Sequence, residues 1–269
     1  MADIIRYSKP GSDWKDIDLK SFNIQVIDEP DVAAFFGIPT LPVPNVSEVI
    51  LNNVEMPNDD LTAEEGRFFK LLDDANYESA PEAQVDDFAY FLLEMLGFSA
   101  GRTRRVHTLQ DLKMFMCGSV VRVRANVAVT ERVGGGSEYI LLVQDDKQYL
   151  EQLKPGEPEP QLVAYALAAF HENNESRARD GQPPILAHTF PAVIMIGTAA
   201  VFYKIPITYE LAHAVGAGTY PEHTTIVQKF QPPVDDLQNY LSEGMANLGN
   251  RRSVLACYEA LKRLVLSMP

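Results

Sequence analysis

An aspartate and a lysine two residues apart, Asp145 and Lys147, follow the apolar run Tyr139-Ile140-Leu141-Leu142-Val143. Side chains alternate along an extended strand, so Asp145 and Lys147 fall on one face and Asp146 on the other. A carboxylate and an ammonium sharing a face at a strand end can share one divalent ion and one water. The carboxylate ligates Mg²⁺, and the lysine orients the attacking water or offsets phosphate charge. Such a site needs a second carboxylate from a neighbouring element. An Asp-x-Lys triplet is common in acidic chains, and an ion pair at a solvated strand end would leave the same trace.

The surrounding elements must position the pair. Val121, Val123, Ala125, Val127 and Val129 alternate with Arg122, Arg124, Asn126 and Ala128, the period of a half-buried strand over 119–130. Gly134-Gly135-Gly136 turns the chain back into 139–143, which is apolar on both faces and so predicts an interior strand. The glycine triplet joins two strands and lacks the Lys-Ser/Thr of a phosphate loop. Residues 113–117 read as another strand, preceded by a basic segment holding Arg102, Arg104, Arg105 and His107. Pro81 opens a helix closed by Gly97, with Val85, Phe88, Ala89, Leu92, Leu93 and Leu96 at helical spacing and Asp86, Asp87 and Glu94 as its acids. A second helix is predicted from Gln161 to about Asn173, after the Pro155–Pro160 stretch. A hairpin or consecutive strands over 192–200 and 201–208 follow, then a short helix at 209–215, an edge strand at 224–230, and a helical close over 235–266.

This order predicts an α/β fold with a mixed central sheet flanked by helices. Residues 81–269 form its core domain. Residues 1–80, with Pro39, Pro42 and Pro44, read as an irregular acidic extension packed on that core, with one helix at about 62–75.

The chain has 269 residues and is 46% hydrophobic, enough for a sizeable core. No apolar run approaches the roughly 18 residues of a membrane span. The N-terminus lacks the apolar stretch of a signal peptide, so an intracellular, cytoplasmic or nuclear location is expected. Cys117 and Cys257 are expected as free thiols. The net charge of −14 repels nucleic acid at long range. A nucleic-acid partner would therefore need local cations, and Arg102, Arg104, Arg105, Arg122 and Arg124, with Arg132, are the candidates for such a patch.

Across about 81–175 the layout resembles the PD-(D/E)XK nuclease-like fold: a helix with an acid, a strand with an Asp, a strand with acid-x-Lys, and a following helix. The chain is also similar to uncharacterised proteins of mushroom-forming (basidiomycete) fungi. The similarity lies in Val85-Asp-Asp-Phe-Ala89, Met116-Cys-Gly118, Leu142-Val-Gln-Asp-Asp-Lys147, Pro160-Gln-Leu162, Gly197-Thr198 and Phe202-Tyr-Lys-Ile-Pro206. The resemblance implies a restriction-endonuclease-like core and Mg²⁺-dependent phosphodiester hydrolysis. Asp145, Lys147, Gln161 and Asp87 would be the catalytic set, with Asp86 next to Asp87 as the other helix acid. Asp145, Asp87 and Asn126 would hold the metal. Two positions depart from the pattern. Asn126 stands where the first-strand Asp belongs, and Tyr165 where an acid is expected on the second helix. They imply a divergent or inactivated nuclease. The alternative is a non-catalytic protein-interaction module that keeps the fold.

The remaining motifs add no second site. His107, His171, His188, His213 and His223 show no metal-ligand spacing. There is no Gly-x-Ser-x-Gly elbow, and the Asn45 and Asn174 sequons matter only in a secreted chain.

Overall fold

Seven strands form one mixed sheet in a computed structural model that describes residues 5–77, 81–145 and 158–267, without the side chains of Glu82 and Asp145. The strands are β1 (Ile24–Asp28), β2 (Arg104–Met116), β3 (Ser119–Val133), β4 (Gly136–Asp145), β5 (Ala187–Ile196), β6 (Ala199–Thr208) and β7 (Thr225–Phe230). Their order is β1-β7-β6-β5-β4-β3-β2. The β4–β5 and β1–β7 pairs are parallel and the others antiparallel. Hence β1, β4, β5 and β7 run the same way, and their carboxyl ends share one rim of the sheet.

Helices cover both faces. On one face lie α2 (Val32–Phe36), α3 (Glu48–Asn52), α4 (Ala63–Asn76), α5 (Glu82–Met95) and α9 (Leu248–Ser267). On the other lie α1 (Asp16–Ser21), α6 (Glu159–Arg179) and α7 (Tyr209–Ala217). A short helix, α8 (Leu237–Glu243), touches both apolar cores through Leu241.

The apolar spacing on α5 works as read: Val85, Phe88, Ala89, Leu92, Leu93 and Leu96 are all buried against the sheet. Helix α4 starts on a reciprocal cap between Thr62 and Glu65. Helix α6 is the crossover between the parallel strands β4 and β5. Every residue from Leu162 to Phe170 on it is buried, as expected of a helix enclosed on all sides. Its run of alanines lets it lie close to the sheet. Gly11 is wedged beneath it: a Cβ there would fall 2.9 Å from Val123 and 3.2 Å from Ala164.

Three expectations are corrected. The strand read at 113–117 is much longer, because β2 already begins at Arg104 within the basic segment and pairs with β3 from Glu131 to Ser119. The strand at 225–230 is not an edge, because β1 pairs with it in parallel and makes the outer edge. Residues 1–80 are not an irregular extension. They supply β1, four helices, and core side chains such as Trp14, Phe22, Phe35, Phe36 and Phe68. The last two share a reason. β1, α2 and α3 each have five residues, too few for a period to register, and β1 finds its partner 200 residues downstream.

The β2–β3 hairpin changes face along its length. Val123 and Ala125 face the α6 side, whereas Val127 and Val129 face the α5 side. The switch lies at Asn126, opposite Leu109, which has φ of 51°. A non-glycine residue in that region marks a local distortion of the ladder.

Candidate functional site

Asn126 is tipped by this distortion toward α5. Its Nδ2 donates to Oδ2 of Asp86 at 3.4 Å, a long hydrogen bond from strand to helix. Both residues are half-buried. The helix acid that meets the strand is therefore Asp86, and Asp87, the expected one, lies exposed. Successive helical residues are turned by about 100°. Asp86 thus borders the stripe of Val85, Ala89 and Leu93, while Asp87 lies across the helix from it. That arithmetic is available from sequence alone and selects Asp86.

Strand β4 ends at Asp145, whose backbone pairs with Met195 of β5. The Asp145 side chain, Asp146 and Lys147 lie outside the described residues, so the acid-x-Lys pair stands as a sequence expectation. One residue earlier, Gln144 is buried, and its Nε2 donates to Oε1 of Gln161 at 3.0 Å. Gln161 in turn donates to the carbonyl of Ser12 at 3.0 Å. Gln144 and Gln161 thus meet on the α6 face, and the sheet separates them from Asp86 and Asn126. Among the described residues Gln161 ties α6 to the segment before α1, which is a structural task. Tyr165 is buried in the α6-side core.

The arginines do not gather into one patch. Arg104 is 3.8 Å from Glu131, and Arg124 is bonded to Asp111 at 2.9 Å. Arg102 and Arg105 lie exposed with Arg104 at one end of the hairpin. Arg122, opposite Lys113, and Arg124 lie toward the other end. Nine residues of strand, about 30 Å at the usual rise, separate Arg104 from Lys113.

The metal expectation can be tested on the described donors. Asn126 brings no charge, and its amide N–H is turned to Asp86. No group of three His, Cys, Asp or Glu side chains able to hold an ion exists among the described residues. Hard divalent ions want several oxygen donors with compensating charge, and among the described residues Asp86 and Asn126 supply one carboxylate between them. Burial pushes up the thiols of both the half-buried Cys117 and the fully buried Cys257, disfavouring the thiolate.

Two histidines have structural settings. His107 Nε2 is 3.0 Å from the Thr130 hydroxyl. His188 lies edge-on to Phe190, and its Nε2 is buried with no hydrogen-bond partner among the described residues. Desolvation lowers its pKa below the usual 6.5, and Glu138 opposes this weakly. The unfolded chain therefore takes up this proton near pH 6.5 while the folded chain does not. Stability is full above pH 6.5 and falls as the pH drops from there toward the folded pKa, by at most about 1.4 kcal/mol per pH unit. Urea midpoints measured from pH 7.5 down to 5.5 should show this slope, and His188→Leu should flatten it. An unchanged slope in the variant would refute the assignment.

No helix among the described residues is long and apolar enough to cross a membrane. No protein-family model and no curated protein sequence matches the chain. The fold class is therefore what the coordinates define: an α/β protein with a mixed seven-stranded sheet between two helical layers.

Proposed function

We propose that this chain is a divergent PD-(D/E)XK-type protein in which a side-chain hydrogen bond replaces the metal site, leaving the fold without phosphodiester hydrolysis. The Asp86–Asn126 contact carries this reading. In a working metal site two carboxylates face one another across a cation, which screens their repulsion. Here an amide donates to the carboxylate, so the strand residue brings no negative charge for a cation to screen. The order α5, β2, β3, β4, α6, β5, with β4 ending at Asp145, supports the family resemblance.

Cleavage of labelled DNA and RNA in Mg²⁺ or Mn²⁺ tests the proposal. Wild type and Lys147→Ala should show the same background. Metal-dependent cleavage by wild type that disappears in Lys147→Ala would overturn it and make Asp145 and Lys147 catalytic.

A protein-interaction role for the retained fold is favoured over nucleic-acid binding by one pair of facts. The chain carries a net charge of −14, and the arginines that would have to counter it are split between the two ends of the β2–β3 hairpin.

A further inference from the structure

A cleft of about 920 Å³ opens at the rim where β1, β5 and β7 end. It lies on the α6 face of the sheet, between α1, α8 and the first turn of α6. Carboxyl ends of parallel strands beside the amino end of a crossover helix are a recurrent place for ligands in α/β sheets. The lining is mixed, with Leu19, Ile24, Ile194, Ile196, Val201 and Leu241 among its apolar residues and Asp16, Lys20, Asp28 and Gln231 among its polar ones.

Three of its polar residues are bonded together. The Tyr203 hydroxyl and the Lys229 ammonium both donate to the same oxygen, Oε1 of Glu159, at 3.0 and 2.9 Å. No described residue donates to Oε2 of Glu159, although the side chain is only 16% exposed. That oxygen is not among the buried unpartnered atoms, so it is open to the cleft and within reach of a ligand. A donor brought by a ligand would satisfy it. The charged residues lining the cleft are Asp16, Asp28 and Glu159 against Lys20 and Lys229, a net charge of −1 in a chain of −14. An anionic ligand meets repulsion at both scales.

We propose that this cleft binds a small amphiphile, with an apolar body against Ile194, Ile196 and Val201 and an N–H or O–H donor bonded to Glu159. None of these residues belongs to the Asp86–Asn126 pair, so the proposal stands or falls independently of the reading above.

A methyl-detected NMR titration of the full chain tests it with three probes sharing one ring: tryptamine, tryptophol and indole-3-propionate. Tryptamine and tryptophol should shift the methyls of Leu19, Ile194 and Ile196 saturably, leaving those of Leu92 and Val254, on the opposite face, in place. Indole-3-propionate should bind about tenfold more weakly or not at all, the worth of one charge-assisted hydrogen bond. Glu159→Gln should weaken tryptamine and tryptophol by a similar factor, with its methyl spectrum confirming the fold. Absence of saturable shifts, shifts centred elsewhere, equal binding of the propionate, or binding indifferent to Glu159→Gln would each overturn the proposal.

Discussion

Arg251→Met is expected to destabilise the protein by about 3 kcal/mol, because several buried carbonyls lose a charged donor, each at about 1–3 kcal/mol before water or main-chain movement offsets it. Arg251 is fully buried at the start of α9 and has no salt bridge among the described residues. Backbone oxygens receive it instead. Nε donates to Met245 at 2.8 Å, Nη1 to Ile50 and Asn53 at 2.9 and 2.6 Å, and Nη2 to Val54 at 2.9 Å. Three of these carbonyls belong to the end of α3 and the residues just after it, where the helix leaves its acceptors unsatisfied and favours a cation. Phe68 and Phe69 each face the guanidinium at 5.5 Å, adding attraction to the ring faces. Burial, with Arg252 adding repulsion, pulls the pKa down to about 10, so the group stays charged at neutral pH.

Methionine fills much of the volume but leaves four carbonyls without their donor. Arg251→Lys should recover only part of the loss, because one ammonium cannot span the fork. Urea unfolding at pH 7 measures both. A loss below about 1 kcal/mol in Arg251→Met, the range of an ordinary substitution, would show that water or main-chain movement satisfies these carbonyls.

Nothing in the local sequence announces Arg251. It sits beside Arg252 in a polar stretch opening a helix, and its acceptors come from residues 50–54 and 245. Long-range pairing of this kind leaves no periodic trace, and β1 was hidden for the same reason. The interior strand ending at Asp145 was legible, because an apolar run flanked by turns survives any register. The hairpin around Gly134 and the stripe on α5 were legible through their periods of 2 and 3.6. The site was only half legible. Strand alternation assigns Asn126 and Ala128 to one face, but the distortion at Leu109 and Asn126 moves the switch point. Gln161 was read from its place at the head of a helix, and only the coordinates show it bonded on the far side of the sheet.

The second large effect concerns Asn126 itself. Asn126→Asp sets a carboxylate where the amide now donates to Asp86 across 3.4 Å. Two carboxylates so close cannot both ionise cheaply in a half-buried place. In EDTA the variant should therefore melt below wild type at neutral pH and recover as the pH falls and one carboxyl takes a proton. A divalent ion removes the repulsion by ligating both oxygens. At 100-fold excess over its dissociation constant, an ion that binds only the folded state adds about 2.7 kcal/mol.

The direct measurement is the melting temperature of wild type and Asn126→Asp in EDTA, Mg²⁺ and Mn²⁺. The expected result is a wild type indifferent to metal and a variant raised by Mg²⁺ and Mn²⁺ to or above the wild-type value. A variant that does not respond to either ion would show that Asp86 and position 126 do not occupy ligand positions of a metal site. A wild type already stabilised by Mg²⁺ would show that the metal site is still in use.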